Sequence, residues 1–242
     1  MMNIKEFTYQ NELINEVRKG KTVVGNWARG AGKTFSLARV LFEVKPRKVL
    51  YFSDSSRGIW ELGERIGELL SSDEDLKNSL SSYNISSNKI DFKFYTGETV
   101  VVLPGKNSEG IRNVDYVFFD NIFDEKLSYI GSQYVLVTTQ NNHNKNLQHA
   151  HRCKVIDVDI FDLVVDKIYG KDFVREVMSN ESFFKEWGIL NEFKSRDSLS
   201  VNDFKEEASR KLMKQFLDTP YTKDTVLTRK NIIEMLKDLK QI

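Results

Sequence analysis

Short apolar runs alternate along this chain with segments whose apolar residues recur three and four positions apart. The run KTVVGN is rich in β-branched residues and predicts a strand, whereas KTFSLARVLFEV has helical spacing and is ended by Pro46. Further strands are predicted in RKVLYFSD, in the two runs around Thr96 and Gly97, in VDYVFFD, in YVLV and in KVIDVDIF. Strands that alternate with helices predict an α/β domain with a mostly parallel central sheet.

Three other stretches complete the predicted map. The segment RGIWELGERIGELLSS predicts an amphipathic helix. Its apolar side consists of Ile59, Leu62, Ile66 and Leu69. Residues 71–88 are polar and rich in serine, which favours a surface excursion of the domain over a linker between domains. From about residue 160 the pattern is helical, so we predict a main domain at 1–159 and a small helical appendage at 160–242.

Composition narrows the class of protein. A chain of 242 residues that is 40% hydrophobic can bury the core of one α/β domain with an appendage. Its 36 basic and 35 acidic residues nearly cancel, so any surface for nucleic acid must be local. The single Cys153 cannot form an intramolecular disulfide, the first residues are too polar for a signal peptide, and no apolar run approaches about 18 residues. We therefore expect a cytoplasmic protein without membrane contact.

The segment NWARGAGKTF contains the Gly-Lys-Thr of a phosphate-binding loop. It lies between a predicted strand and a predicted helix, where backbone N–H groups can surround an anion. Gly30, Ala31 and Gly32 would form the loop, Lys33 would contact the β- and γ-phosphates, and Thr34 would hold Mg²⁺. Trp27 stands where the usual spacing has its first glycine. A Gly-rich turn that arose by chance is the alternative.

A second chain element is expected to supply the other metal contact of such a site, an Asp carboxylate at the end of an apolar strand. The apolar run Val117, Phe118 and Phe119 leads into Asp120, which is the pattern of a strand whose terminal carboxylate orders Mg²⁺. Asn121 follows Asp120, at a position where ATPases with this kind of loop commonly have Glu. An amide can orient a water molecule but cannot accept its proton at neutral pH.

Two acids soon after Asn121 leave the question of catalysis open. Asp124 and Glu125 could serve in place of the missing Glu if the chain turned back toward the phosphate. The alternative is that both are solvated acids of a loop.

Four segments together resemble the ATPase domain of phage terminase large subunits, which is itself similar to helicase motor domains. They are FTYQNELINEV, NWARGAGKTFSLARVL, NSEGIRNVDYVFFDN and YVLVTTQ, in that order, and the resemblance covers about residues 7–158. In ARGAGKT, an Arg precedes Gly-x-Gly-Lys-Thr and no glycine occupies the first loop position, as in terminase-like loops. The resemblance implies a P-loop NTPase fold of the RecA-like, ASCE type, with ATP and Mg²⁺ as ligands. It also implies that Trp27 is a family variant.

The resemblance assigns roles to further residues. Gln10 matches the glutamine that reads the adenine edge, and Arg29 matches the loop arginine that senses the γ-phosphate. Thr138 and Thr139 match the motif that couples nucleotide state to DNA-contacting parts, and Arg112 matches the basic residue before the acidic strand. Each has an ordinary alternative: a turn glutamine, surface arginines, or threonines that favour strands.

The resulting hypothesis is a Mg-ATP-binding motor ATPase that couples nucleotide state to translocation, packaging or remodelling of double-stranded DNA. Its partners would be nucleic acid, further copies of the chain or other packaging proteins. No nuclease activity is expected, because about 80 residues of helical pattern cannot supply acidic metal ligands on a mixed sheet. The alternatives are a degenerate, non-hydrolysing module with a regulatory or structural role, and a helicase-like protein that acts with a partner chain.

The segment at 143–154 holds all three histidines and the only cysteine, without a recognised zinc spacing. It also contains Lys145, Arg152 and Lys154, which make it the best candidate for a local phosphate-contacting patch on nucleic acid. A solvated loop is the alternative interpretation.

Overall fold

The computed structural model of the chain describes residues 7–105, 111–139, 153–158 and 163. The chain divides into two units, Met1–Asp157 and Val158–Ile242, and the elements described below lie in the first, which ends within the last strand. The predicted boundary after residue 159 lies outside the described residues, as does the predicted appendage apart from Leu163.

The described residues form thirteen helices and strands. The first four elements alternate between helix and strand, as is typical of an α/β domain. The helices are α1 (Thr8–Arg18), α2 (Lys33–Val44), α3 (Ile59–Ser72), α4 (Glu74–Asn78) and α5 (Glu125–Ser128). The strands are β1 (Val23–Trp27), β2 (Lys48–Ser53), β3 (Leu80–Ile85), β4 (Ile90–Phe94), β5 (Thr99–Pro104), β6 (Val114–Asp120), β7 (Gly131–Thr138) and β8 (Lys154–Val158). No helix in these ranges is long and apolar enough to cross a membrane.

One eight-stranded sheet organises the domain, in the order β3-β4-β5-β2-β6-β7-β1-β8. The pairs β5/β2, β2/β6, β6/β7 and β7/β1 are parallel, while β3/β4 and β4/β5 are antiparallel. The predicted mostly parallel α/β sheet is therefore confirmed. Its antiparallel margin consists of β3, β4 and β5, which follow α4 in the chain.

The sequence interpretation of residues 71–88 missed one strand. This stretch contains the short helix α4 and the strand β3, which pairs with β4. Leu80 is the only buried residue of β3, and the rest of the strand is half-buried or exposed at the margin of the sheet. A strand that buries one side chain has no alternation of apolar and polar residues, so the hydrophobic pattern could not reveal it.

The centre of the sheet explains why the apolar runs are continuous. Strand β6 lies between β2 and β7, and its Val117, Phe118 and Phe119 are fully buried on alternate faces. Parallel strands that are covered on both faces need apolar residues at successive positions. The predicted apolar side of α3 is also buried, which confirms that amphipathic helix.

The parallel strands bring four chain segments to one edge of the sheet. Asn26 of β1 is in register with Thr138 of β7, and Asp120 of β6 is in register both with Val137 of β7 and with Ser53 of β2. The carboxyl ends of these strands therefore lie side by side. In open α/β sheets, this edge is where ligands bind.

Candidate nucleotide-binding site

The turn between β1 and α2 has the backbone geometry of an anion-binding loop. Gly30 and Gly32 have φ angles of 80° and 76°, in the left-handed region that glycine tolerates. At Gly32 a Cβ atom would lie 2.7 Å from the amide nitrogen of Gln10, so a side chain there would displace the Gln10 amide. Gly32 precedes α2, whose first turn is not capped by a side chain. The N–H groups at this helix start can therefore bind an anion.

Helix α1 holds the loop from one side. The hydroxyl of Tyr9 and the amide Nε2 of Gln10 both donate to the carbonyl of Ala31, at 3.2 Å each. Gln10 is buried, and its Oε1 has no hydrogen-bond partner among the described residues. The structure thus places Gln10 directly against the loop, with one buried acceptor that a ligand could use.

Trp27 is the last residue of β1 and has a structural explanation. Its indole is fully buried, packs edge-on against Tyr9 with ring centroids 4.9 Å apart, and donates from Nε1 to the carbonyl of Ile156 at 3.0 Å. A Cβ atom on Gly25 would lie 3.1 Å from this indole, so the glycine two positions earlier makes room for the ring. Trp27 connects the loop with α1 and β8. The left-handed backbone angles of the loop are supplied by Gly30 and Gly32.

Lys33 lies inside the loop. Its Nζ donates to the carbonyls of Trp27 and Ala28, at 3.3 Å and 3.1 Å. Burial lowers the pKa of Lys33 to about 8, with the carboxylate of Asp120 acting against this and the cation of Arg29 adding to it. Arg29 itself is exposed at the loop. A buried ammonium held only by neutral carbonyls can exchange them for phosphate oxygens at little cost.

The structure brings Thr34 and Asp120 together from separate elements. The Thr34 hydroxyl donates to Oδ2 of Asp120 at 2.6 Å, and the Tyr51 hydroxyl donates to the same oxygen at 3.0 Å. The other oxygen, Oδ1, is buried and has no hydrogen-bond partner among the described residues. Burial raises the pKa of Asp120 to about 6, although the hydrogen bonds from Thr34 and Tyr51 lower it.

These groups fit Mg²⁺. A carboxylate with a buried, unpartnered oxygen beside a hydroxyl is a donor set that this cation accepts, with phosphate oxygens and water completing its six ligands. Within the described ranges, no group of three or more His, Cys, Asp or Glu side chains could hold a metal alone.

Asn121 links the end of β6 to the end of β7. Its backbone has a φ of 59°, its N–H donates to Val137 O at 2.8 Å, and its Oδ1 accepts the N–H of Thr139 at 3.0 Å. Thr138, which is buried, donates from Oγ1 to the carbonyl of Thr139 at 3.2 Å. Two predicted groups, the position after Asp120 and the coupling threonines, are thus in direct contact.

Two residues at this edge were not predicted as site residues. Asp54 follows β2 directly; burial raises the pKa of its carboxyl, and the side chain of Asn121 acts against this rise. Tyr51, within β2, binds Asp120. The run VLYFSD could have revealed Asp54, because an apolar strand that ends in Asp is the pattern by which Asp120 was recognised.

Asp124 and Arg112 make their described hydrogen bonds with residues outside this cluster. Asp124 is exposed, and its Oδ1 accepts the N–H of Lys126 at 2.8 Å, so it caps α5. Glu125 is the first residue of α5, and its side chain lies outside the description. Arg112 is exposed before the amino end of β6, at the sheet edge opposite Asp120, and its carbonyl accepts from Lys48 at 3.0 Å.

The segment 143–154 is described only at its end. Its histidines, Lys145 and Arg152 lie outside the described residues. The Cys153 sulfur is 3.0 Å from the hydroxyl of Tyr134, and Lys154 forms an ion pair with Glu12 at 2.9 Å.

The fold is similar to that of two solved large terminases. The ATPase domain of a Thermus phage large terminase aligns with a TM-score of 0.54 at 12% identity, over 76% of this chain and 93% of that domain. The large terminase of a thermophilic bacteriophage aligns with a TM-score of 0.54 at 12% identity, over 76% of this chain and 52%, about half, of its own. No protein-family model and no curated protein matches the chain. The predicted α/β fold with a mostly parallel sheet, similar to that of large-terminase ATPase domains, is therefore confirmed by structure.

Proposed function

We propose that this chain binds Mg-ATP at the loop formed by residues 28–34 and hydrolyses it, coupling nucleotide state to movement, packaging or remodelling of double-stranded DNA. The observation that supports this most strongly is the contact of Thr34 with Asp120 at 2.6 Å, beside a buried carboxylate oxygen that has no partner among the described residues. A buried carboxylate is costly unless a cation or donors compensate it. Mg²⁺ would provide that compensation.

Each group has a defined role in this proposal. Thr34 and Asp120 hold the metal, which neutralises charge on the β- and γ-phosphates. The loop N–H groups from Gly30 to Lys33 bind phosphate oxygens, and the Lys33 ammonium leaves the carbonyls of Trp27 and Ala28 to bind them as well. Arg29, exposed on the loop, would approach the γ-phosphate from outside.

Two observations support coupling to DNA. The shared fold is that of large-terminase ATPase domains. In addition, Asn121 holds the N–H of Thr139 at 3.0 Å, so a change beside the γ-phosphate can displace the end of β7. The partners in this proposal are double-stranded DNA and further copies of the chain or other packaging proteins.

Phosphate release by the purified full chain tests the proposal. We expect hydrolysis of Mg-ATP that double-stranded DNA accelerates, measured across the oligomer fractions of a size-exclusion column, because a nucleotide site coupled to DNA should respond when DNA binds. Absence of release above the Lys33→Ala background in every fraction, with and without DNA, would contradict the hydrolytic part of the proposal.

Base selection gives an independent prediction. The buried Oε1 of Gln10 can accept from the N6 amino group of adenine, whereas guanine presents an acceptor at that position. We expect ATP to bind about tenfold or more tightly than GTP, a difference of roughly 1.4 kcal/mol. In Gln10→Ala this preference should narrow. Equal affinities of the parent for both nucleotides would remove Gln10 from the base-binding site.

A second candidate function is a nucleotide-binding module that does not hydrolyse ATP. It is favoured by Asn121, because the amide replaces the expected Glu and its Oδ1 is already bound to Thr139. This candidate predicts normal Mg-ATP binding without phosphate release under any condition.

A further inference from the structure

Two hydroxyl groups hold the same oxygen of Asp120. Tyr51 and Thr34 both donate to Oδ2, at 3.0 Å and 2.6 Å, while Oδ1 is buried and accepts no hydrogen bond from the described residues. An ionised carboxylate can accept hydrogen bonds on both oxygens, so two donors on one of them form an uneven arrangement. This arrangement leaves Oδ1 as the atom of Asp120 that can face a cation.

Tyr51 reaches this carboxylate from within the sheet. It is in register with Phe118, two positions before Asp120, so the tyrosine and the aspartate lie on the same face. The Tyr51 ring is buried in β2. Thr34, in contrast, belongs to the first turn of α2 beside the loop, where its hydroxyl can also bind the cation. The two donors therefore hold Asp120 from different elements.

We propose that Tyr51 is a positioning residue for the metal site and gives it a preference for Mg²⁺ over Ca²⁺; this inference rests on the function proposed above. The Tyr51 hydroxyl keeps Oδ2 of Asp120 in place, so the carboxylate offers the cation one oxygen. Mg²⁺ requires near-ideal octahedral geometry, whereas Ca²⁺ accepts irregular ligand sets in which one carboxylate can use both oxygens. A carboxylate restricted to Oδ1 therefore favours the smaller cation.

The hydroxyl of Thr34 holds the carboxylate less firmly by itself. Once its oxygen binds a cation, Thr34 has to satisfy both that cation and Oδ2 of Asp120, whereas Tyr51 has no such second task. Without Tyr51 one hydrogen bond would remain on Oδ2, and the terminal torsion of an aspartate is broad, so the carboxylate could turn. Removal of a group that orients a metal ligand typically lowers metal affinity about 10- to 100-fold.

A purely structural role for Tyr51 makes a different prediction. A buried tyrosine hydroxyl needs a hydrogen-bond partner wherever it lies, and its loss then affects stability and not the choice of cation. Tyr116 of β6 is the matched control, because its hydroxyl donates to the carbonyl of Val17 at 3.1 Å and not to Asp120. Tyr116→Phe thus removes a tyrosine hydroxyl from the same sheet and leaves the metal site as it is.

The decisive variant is Tyr51→Phe in the full chain, with calorimetric binding of a non-hydrolysable ATP analogue in saturating Mg²⁺, in saturating Ca²⁺ and in EDTA. The affinity in Mg²⁺ should fall by about tenfold or more, and the affinity in EDTA should change by less than about threefold. The loss in Ca²⁺ should be smaller than the loss in Mg²⁺. All three affinities of Tyr116→Phe should match the parent. Equal losses in Mg²⁺ and EDTA, or an unchanged preference between the cations, would overturn the proposal.

The parent alone provides a second test and separates this inference from the function beneath it. The parent should bind the analogue more tightly in Mg²⁺ than in Ca²⁺. If it binds equally well with both cations, the role of Tyr51 is wrong while the nucleotide site stands. If it does not bind the analogue in Mg²⁺, the proposed function itself fails, and the role of Tyr51 fails with it.

Discussion

Trp27→Gly is expected to destabilise the domain by about 3–5 kcal/mol, although it restores the glycine of the usual loop spacing. The substitution removes a fully buried indole, its edge-on contact with Tyr9 and its hydrogen bond to Ile156. Gly25, which makes room for the ring, would then border a cavity. The measurement is the free energy of unfolding from urea titrations followed by circular dichroism.

Trp60 provides the matched control for this prediction. It lies on α3 with 44% of its surface exposed, so Trp60→Ala should change stability by about 0.5 kcal/mol or less, while Trp27→Ala should lose nearly as much as Trp27→Gly. If Trp27→Gly were as stable as the parent, the tryptophan would be a tolerated replacement without a packing role.

Local patterns explain why much of the fold could be predicted. The strand ending at Asp120 is apolar at successive positions because both faces are covered, and α3 has a clear apolar side. The phosphate loop is equally local, because Gly30 and Gly32 supply the left-handed angles within the motif itself. These features depend on residues that are close in sequence, so the pattern of apolar residues and glycines along the chain predicts them.

The rest depends on which distant strands pair. Asp54 reaches Asp120 only because β2 lies next to β6, and Tyr51 reaches the same carboxylate for the same reason. Strand β3 buries only Leu80, so no periodicity revealed it. Arg112, grouped with the site by resemblance, precedes β6 and so lies at the opposite edge of the sheet from Asp120. The order in which strands pair is set by tertiary packing, so a local sequence pattern does not reveal these contacts.

Lys33→Ala is expected to weaken Mg-ATP binding by about 100-fold or more, because it removes the buried cation that would bind the β- and γ-phosphates. A ligand at about 100 times its Kd stabilises the folded state by roughly 2.7 kcal/mol, and after a 100-fold loss the same concentration gives only about 0.4 kcal/mol. Lys19→Ala is the matched control, since Lys19 is exposed just after the C-terminal end of α1 and Glu16 keeps its second partner, Lys21.

The thermal midpoint of unfolding, measured with and without Mg-ATP, reports directly on nucleotide binding at the loop of residues 28–34. We expect a clear upward shift in the parent and in Lys19→Ala, and almost none in Lys33→Ala, whose midpoint without nucleotide should stay close to that of the parent. Equal shifts in the parent and Lys33→Ala, or no shift in the parent at saturating Mg-ATP, would contradict nucleotide binding at this loop.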